Sequence, residues 1–320
     1  MCYSAQIWAD YRKYLRIFGA RMSIHEYVEI FWRRTLDAKL LIPKAMELPF
    51  AEPTDDHERQ IKDFIDQFAT AQATTFEQEL FTQRTRLVEA ERKLETRPTK
   101  GAAESKRIAT NKIQRAKDWL ADLRRTDLQE RDSRIYPGVY APVMVMEAGQ
   151  RVIKPMRYQC RPAGKPASYD IQYPGTYNAR RDSLRGFWKD LYGFSHGLVV
   201  MDAFYEYVPR HRMEGRALGE DEKEERLVLE FRPNSGETML AACLWSHWKG
   251  RDGKPDLLSF AAITDDPPPE ISAAGHDRCI VPIRAEFIDA WLNPAGSSLQ
   301  ALDEILEDRA RPHYEYKLAA

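Results

Sequence analysis

Between Thr54 and about Thr96 the sequence has neither proline nor glycine, and no other feature limits the fold so strongly. Ile61, Phe64, Phe68 and Ala71 recur at alternating spacings of three and four, and Leu80, Leu87 and Leu94 continue as a seven-residue repeat. A side chain returns to one face of an α-helix about every 3.6 residues, so the stretch predicts one long amphipathic helix. At about 1.5 Å per residue it would reach about 60 Å. RPTKG, residues 97–101, breaks it, and a second run follows in which Ala109, Ile113, Ala116, Leu120 and Leu123 repeat at four and three. Two such helices joined by a short break pack as an antiparallel hairpin.

On either side of the hairpin the pattern differs. Residues 1 to about 50 mix aromatics and charges, with SIHEYVEIFWRR as a short amphipathic helix that Ser23 can cap. From about Arg134, the segments VYAPVMVM, RVIKPMRYQC, GLVVMDAFYEY, RLVLEF, TMLAACLW and LLSFAAIT are rich in β-branched, aromatic and apolar residues and are separated by Gly, Pro and Asp. They predict strands. DSLRGFWKDL, AEFIDAWL and LQALDEILED predict short helices between them. The expected class is α+β: a body of residues 1–53 and 134–320 with a mixed or antiparallel β core and short helices, interrupted at 54–133 by the inserted long helical hairpin.

Lys and Arg number 48 against 49 Asp and Glu, so no global field draws the chain to nucleic acid and any such binding rests on a local face. On the second arm of the hairpin Lys106, Arg107, Lys112, Arg115, Lys117, Arg124 and Arg125 face only Glu104, Asp118 and Asp122. That excess could track phosphate, or be the solvated face of a coiled coil, or serve a protein partner or self-association. Cys2, Cys160, Cys243 and Cys279 lack CxxC spacing, which argues against a zinc ribbon or a secreted disulfide framework. Cys243, His247, His276 and Cys279 stand at no recognised metal spacing, so neither metal nor cofactor is expected. No apolar run approaches membrane-spanning length, and the expectation is a cytoplasmic protein with no membrane contact.

The chain begins MCYSAQ. Removal of Met1 would leave Cys2 with a free α-amine beside its thiol, a 1,2-aminothiol that can close on an aldehyde as a five-membered thiazolidine. In YNARRDSL, Asn178 and Arg180 precede an apparent helix start at Asp182 or Ser183, where capping and surface charge are the plain alternative. In VVMDAFYEY an apolar strand ends in a carboxylate between aromatics, which would desolvate Glu206 and raise its pKa toward general-acid use unless the strand is half exposed. AAGHDRCIVPI sets His276, Asp277 and Arg278 before a buried-looking strand, where the imidazole either titrates near neutral pH or makes a structural hydrogen bond.

The order and flanks of these pieces, MC at 1–2, YNAR at 177–180, DAFYEY at 202–207 and HDRCIVPI at 276–283, resemble the SOS response-associated peptidase (SRAP) family. AACLWSHW, FAAITDDP and FIDAWL add to the resemblance, which covers about residues 1–5 and 134–310 and leaves the hairpin unexplained. It implies an abasic-site processing protein of the DNA damage response. Such a protein binds single-stranded DNA, loses Met1 by self-processing and forms a covalent thiazolidine crosslink through Cys2. It further implies that Asn178 orients the N-terminus and the adduct, Glu206 acts in acid–base steps, and His276 assists Schiff-base formation and crosslink reversal. Arg180, Tyr158 and Arg278 would be DNA-binding residues.

The sequence also departs from the family. The usual MCGR is MCYS here, MRWGL is MRYQC with Tyr158 at the aromatic position, and FYEW is FYEY. Two readings from other classes stay open: a non-catalytic DNA or protein adaptor working through the hairpin, and a thiol hydrolase acting on small amides with an N-terminal nucleophile.

Overall fold

The computed structural model describes residues 3–250 and 253–319, so Cys2 lies outside the described residues. The fold is α+β, in two compact units: Met1–Ile30, Leu40–Glu52 and Gln129–Ala320 form one, Phe31–Lys39 and Pro53–Leu128 the other. Among the described residues no helix is long and apolar enough to cross a membrane.

The first unit is built on a mixed, twelve-stranded sheet. In chain order its strands are β1 (Ser4–Ile7), β2 (Arg21–Met22), β3 (Arg134–Ile135), β4 (Tyr140–Glu147), β5 (Gln150–Tyr158), β6 (Asn178–Arg180), β7 (His196–Pro209), β8 (Arg226–Pro233), β9 (Met239–Trp248), β10 (Leu257–Asp265), β11 (Cys279–Ile280) and β12 (Tyr314–Leu318). The six longest coincide with the six predicted segments. β4 and β5 form a hairpin whose two turn residues, Ala148 and Gly149, both have positive φ, the backbone that matches the twist of paired strands.

β7 is the spine. Its first half pairs with β9 from His196↔Leu244 to Met201↔Met239, and its second half with β8 from Phe204↔Phe231 to Pro209↔Arg226. On its other side lie β4, at Met144↔Leu198, and then β1, with Ser4↔Tyr205 and Ala5↔Phe204. β9 also pairs with β10, β10 with β5, and β5 with β4, so the ladder closes on itself. Closure leaves those strands without free edges, and side chains on both faces, Val143, Met156 and Phe260 on one and Leu198 and Ala242 on the other, are buried. Gly197 is required there: a Cβ would meet Val143 Cγ1 at 2.9 Å and Cys243 Sγ at 3.0 Å.

The predicted helix over DSLRGFWKDL is not one. Arg181–Ser183 forms a single 3₁₀ turn and the rest is a series of turns, because Gly186 interrupts the run and Leu184, Trp188 and Leu191 are buried by tertiary packing instead. AEFIDAWL is a 3₁₀ turn followed by a short helix at Ile288–Leu292, and LQALDEILED is the helix Leu299–Glu307, capped by Ser298.

In the second unit, α1 (Asp56–Thr96) and α2 (Lys100–Arg124) are the two expected arms. Asp55 caps α1 by accepting from the Glu58 N–H, and Thr99 caps α2 by accepting from Ala102, with Pro98 between the arms. Ala102, Ala109 and Ala116 recur every seven residues on the buried face of α2, where small side chains allow close approach. Arg86 donates to Ser105 across the seam, and Lys106–Glu91, Lys112–Glu79 and Arg124–Glu77 pair along its flanks. Much of the positive excess read from α2 is thus matched by acids of α1. The Arg34 guanidinium lies over the rings of Phe31 and Phe68 in the same unit.

Candidate active site

The β1–β7 register fixes the position of Ser4 and the strand that follows it. The ladder begins at Ser4 opposite Tyr205, and the preceding Tyr3 gives a backbone hydrogen bond to the Glu206 carboxyl. Glu206 is 1 % exposed. Burial drives its carboxyl well above the usual carboxylate range; the Tyr3 backbone hydrogen bond and the Arg278 guanidinium act in the other direction. Burial thus favours the protonated, uncharged form of this carboxyl.

His276 reaches Glu206 from the loop before β11, with Nε2 3.3 Å from Oε2. Gly275 makes this loop possible. Its φ is +95°, and a Cβ there would meet Arg212 Cβ at 2.8 Å and Val208 Cγ1 at 3.0 Å. His276 Nδ1 lies 2.9 Å from the Arg278 carbonyl oxygen, which can only accept, so Nδ1 carries the hydrogen. Nε2 then faces Glu206 as a lone pair. Burial also pushes the His276 pKa down, to about 4, which keeps the imidazole neutral. Burial thus favours the uncharged form of both members of the pair, a carboxyl and an imidazole within 3.3 Å of each other.

Asn178 lies on β6, held parallel to β10 with Asn178 beside Ala262 and Arg180 beside Thr264. It is 7 % exposed, and neither Oδ1 nor Nδ2 has a hydrogen-bond partner among the described residues. A buried amide left so costs about 1–3 kcal/mol, and it keeps hydrogen-bonding capacity to offer. The preceding Tyr177 brings it toward the chain start, its ring 6.4 Å from that of Tyr3. Thr264, within FAAITDDP, is equally buried, and its Oγ1 has no partner among the described residues. Its strand also holds Ser259 and Asp265, so nothing in the sequence sets the Thr264 hydroxyl apart.

The three expected DNA-binding residues fare differently. Arg180 is exposed and pairs with Asp182 at 2.9 Å; Arg278 is partly exposed, with Asp277 at 3.9 Å. Tyr158 is only 2 % exposed, its ring stacked on Phe260 at 5.1 Å, because β5 delivers it into the core. It presents no surface for DNA. The exposed aromatic in this region is Tyr207, 45 % exposed and edge-to-face with Tyr3 at 5.0 Å. The structure thus brings Glu206, His276 and Tyr3 together, with Tyr177, just before β6, in ring contact with Tyr3. Among the described residues no three His, Cys, Asp or Glu side chains gather as a metal site.

Similar solved structures include a protein from Bordetella bronchiseptica, 17 % identical over 59 % of this chain and 87 % of that one, with a TM-score of 0.46. Another is a protein from Bacteroides thetaiotaomicron, 13 % identical over 59 % and 78 %, TM-score 0.46. A third is a phage-related protein from Bordetella bronchiseptica, 18 % identical over 62 % and 85 %, TM-score 0.44. At these identities and scores the likeness says nothing about function. No curated protein matches the chain. The family model described as SOS response associated peptidase (SRAP) matches residues 100–318, which hold Asn178, Glu206, His276 and their supporting strands, and the chain belongs to that family.

Proposed function

We propose that the chain processes abasic sites in single-stranded DNA, with Cys2 as its covalent nucleophile once Met1 is removed. The observation that carries this reading is the Glu206–His276 pair, 3.3 Å apart, beside the strand that delivers the first residues of the chain. Cys2 is joined directly to Tyr3, whose backbone hydrogen-bonds Glu206, and this supports Cys2 as the group that the pair serves.

The chemistry follows from the groups present. An abasic sugar is mostly a closed hemiacetal, and protonation of the ring oxygen by the Glu206 acid opens it to the aldehyde. The α-amine, with an ordinary pKa of about 8, is partly neutral and adds to C1′. Water leaves with a proton returned through the Glu206–His276 pair, giving the imine. The Cys2 thiol then adds to the imine carbon: a C–S bond forms, the thiol proton ends on nitrogen, and the net reaction releases one water. Earlier, the same pair would assist hydrolysis of the Met1–Cys2 amide, which consumes one water and frees methionine. The Asn178 amide would orient the terminus and the adduct, while Arg180 and Arg278 would hold phosphate.

Intact mass spectrometry tests this reading. After incubation with an oligonucleotide carrying one abasic site, the adduct should weigh protein without Met1, plus DNA, minus one water. Absence of that species from protein already lacking Met1 would count against the proposal.

A further inference from the structure

We propose that Tyr3 and Ser4 act as a clamp that positions the N-terminal nucleophile, an inference that rests on the abasic-site reading above. The first residues of most chains fray unless something ties them down. Here the backbone ladder of β1 begins only at Ser4, so beyond it the hold on the chain comes from side chains.

The ring of Tyr3 meets three others edge-to-face: Tyr207 at 5.0 Å, Tyr136 at 5.7 Å and Tyr177 at 6.4 Å. These rings come from β7, from the residue after β3, and from the residue before β6, so Tyr3 is held from three separate segments. Ser4, fully buried, accepts from Arg134 Nε at 3.2 Å. Arg134 is itself fixed, its guanidinium 3.6 Å from the centroid of the Tyr205 ring and 5.2 Å from that of Tyr136. A glycine at position 3 would have no ring for the cage. An arginine at position 4 would bring a second guanidinium against Arg134.

The clamp acts on Cys2 through the chain. Fixing Tyr3 and Ser4 restricts the only covalent tether of the terminal amine, beside the acid that must serve it, and restricting a nucleophile near its reacting geometry raises the rate at saturation more than it raises affinity. Tyr3 is thus a positioning residue. It acts through its ring, so phenylalanine should replace it and glycine should not.

The test compares wild type, Tyr3→Phe and Tyr3→Gly, each verified by mass to lack Met1, with Tyr136→Leu probing the cage from the other side. Affinity is measured on single-stranded DNA carrying a tetrahydrofuran analogue, which binds but has no aldehyde; the crosslinking rate is measured on abasic DNA at saturation. Tyr3→Gly and Tyr136→Leu should slow crosslinking by about tenfold or more while affinity changes by less than about threefold, and Tyr3→Phe should retain the wild-type rate. Hydrogen exchange of the N-terminal peptide, read in the same proteins, should accelerate by about tenfold in Tyr3→Gly with β7 and β9 unchanged. An unchanged rate at saturation, or a rate loss explained by affinity, overturns the clamp. If wild type itself forms no crosslink, the abasic-site reading fails, and the exchange data alone decide whether the clamp exists: equal exchange in wild type and Tyr3→Gly overturns it.

Discussion

His276 offers Nε2 to Glu206 Oε2 at 3.3 Å while its Nδ1 faces the Arg278 carbonyl at 2.9 Å. The second contact makes Nδ1 the donor and leaves Nε2 turned toward the carboxyl. Burial of both groups favours their neutral forms, raising one pKa and lowering the other. Both shifts favour a resting pair without a buried charge.

Replacing Glu206 by Gln removes the transferable proton but keeps an N–H that can face Nε2. The single-turnover crosslinking rate should fall by about 10²–10⁴-fold with the fold intact. A rate within about threefold of wild type in a folded variant would remove Glu206 from the acid–base role.

Stability should respond to pH with two opposite signs. Glu206 has a folded pKa raised above its ordinary 4.5, so its contribution is full below that value and is lost as pH climbs toward the raised one. His276 and His196 are both depressed from 6.5 to about 4, so their contributions are full above 6.5 and lost as pH falls toward 4. For His196, buried between the Gly193 N–H and the Trp291 carbonyl, the loss amounts to about 3 kcal/mol. Glu206→Gln should become more stable relative to wild type as pH rises from about 5 into the neutral range, as read by urea unfolding. A difference that is flat or shrinks over that range contradicts the assignment.

Gly275→Ala tests the loop that carries His276. The added methyl meets Arg212 and Val208, and the backbone sits at φ +95°, so the variant should lose about 1–3 kcal/mol. It should also slow crosslinking by displacing the imidazole from Glu206. Thermal unfolding and single-turnover rates measure the two effects, and wild-type values for both would show that the loop tolerates the side chain.

In the hairpin, Gln83 is buried in the α1–α2 seam, and its Oε1 has no partner among the described residues. Gln83→Leu should raise the stability of that unit by about 1–2 kcal/mol through removal of an unsatisfied acceptor. The measurement is hydrogen exchange across α1 and α2, where slower exchange is expected and faster exchange would contradict the packing described.

The long helices were legible because a seven-residue repeat needs no tertiary information. The six long strands were legible because their apolar faces are continuous. By contrast β1, β6 and β11 span two to four residues each and exist only through their partners β7 and β10, so no local pattern announces them. That is why Asn178 read as a residue before a helix and not as part of a strand. The aromatic flanks of Glu206 did foretell its burial. Its meeting with His276 did not follow from sequence, since Gly275 and the packing of Arg210–Met213 against that loop set the approach. Tyr158 misled because aromatic character says nothing about which face of β5 it occupies.

The central claim is covalent capture through Cys2, and a denaturing gel tests it most directly: wild type and Cys2→Ala, both lacking Met1, incubated with single-stranded DNA carrying one abasic site. The account predicts a heat-stable shifted band in wild type alone, with Cys2→Ala giving a band only when borohydride traps the imine of its remaining α-amine. A heat-stable band of equal intensity in Cys2→Ala without borohydride, or none in wild type, would contradict it.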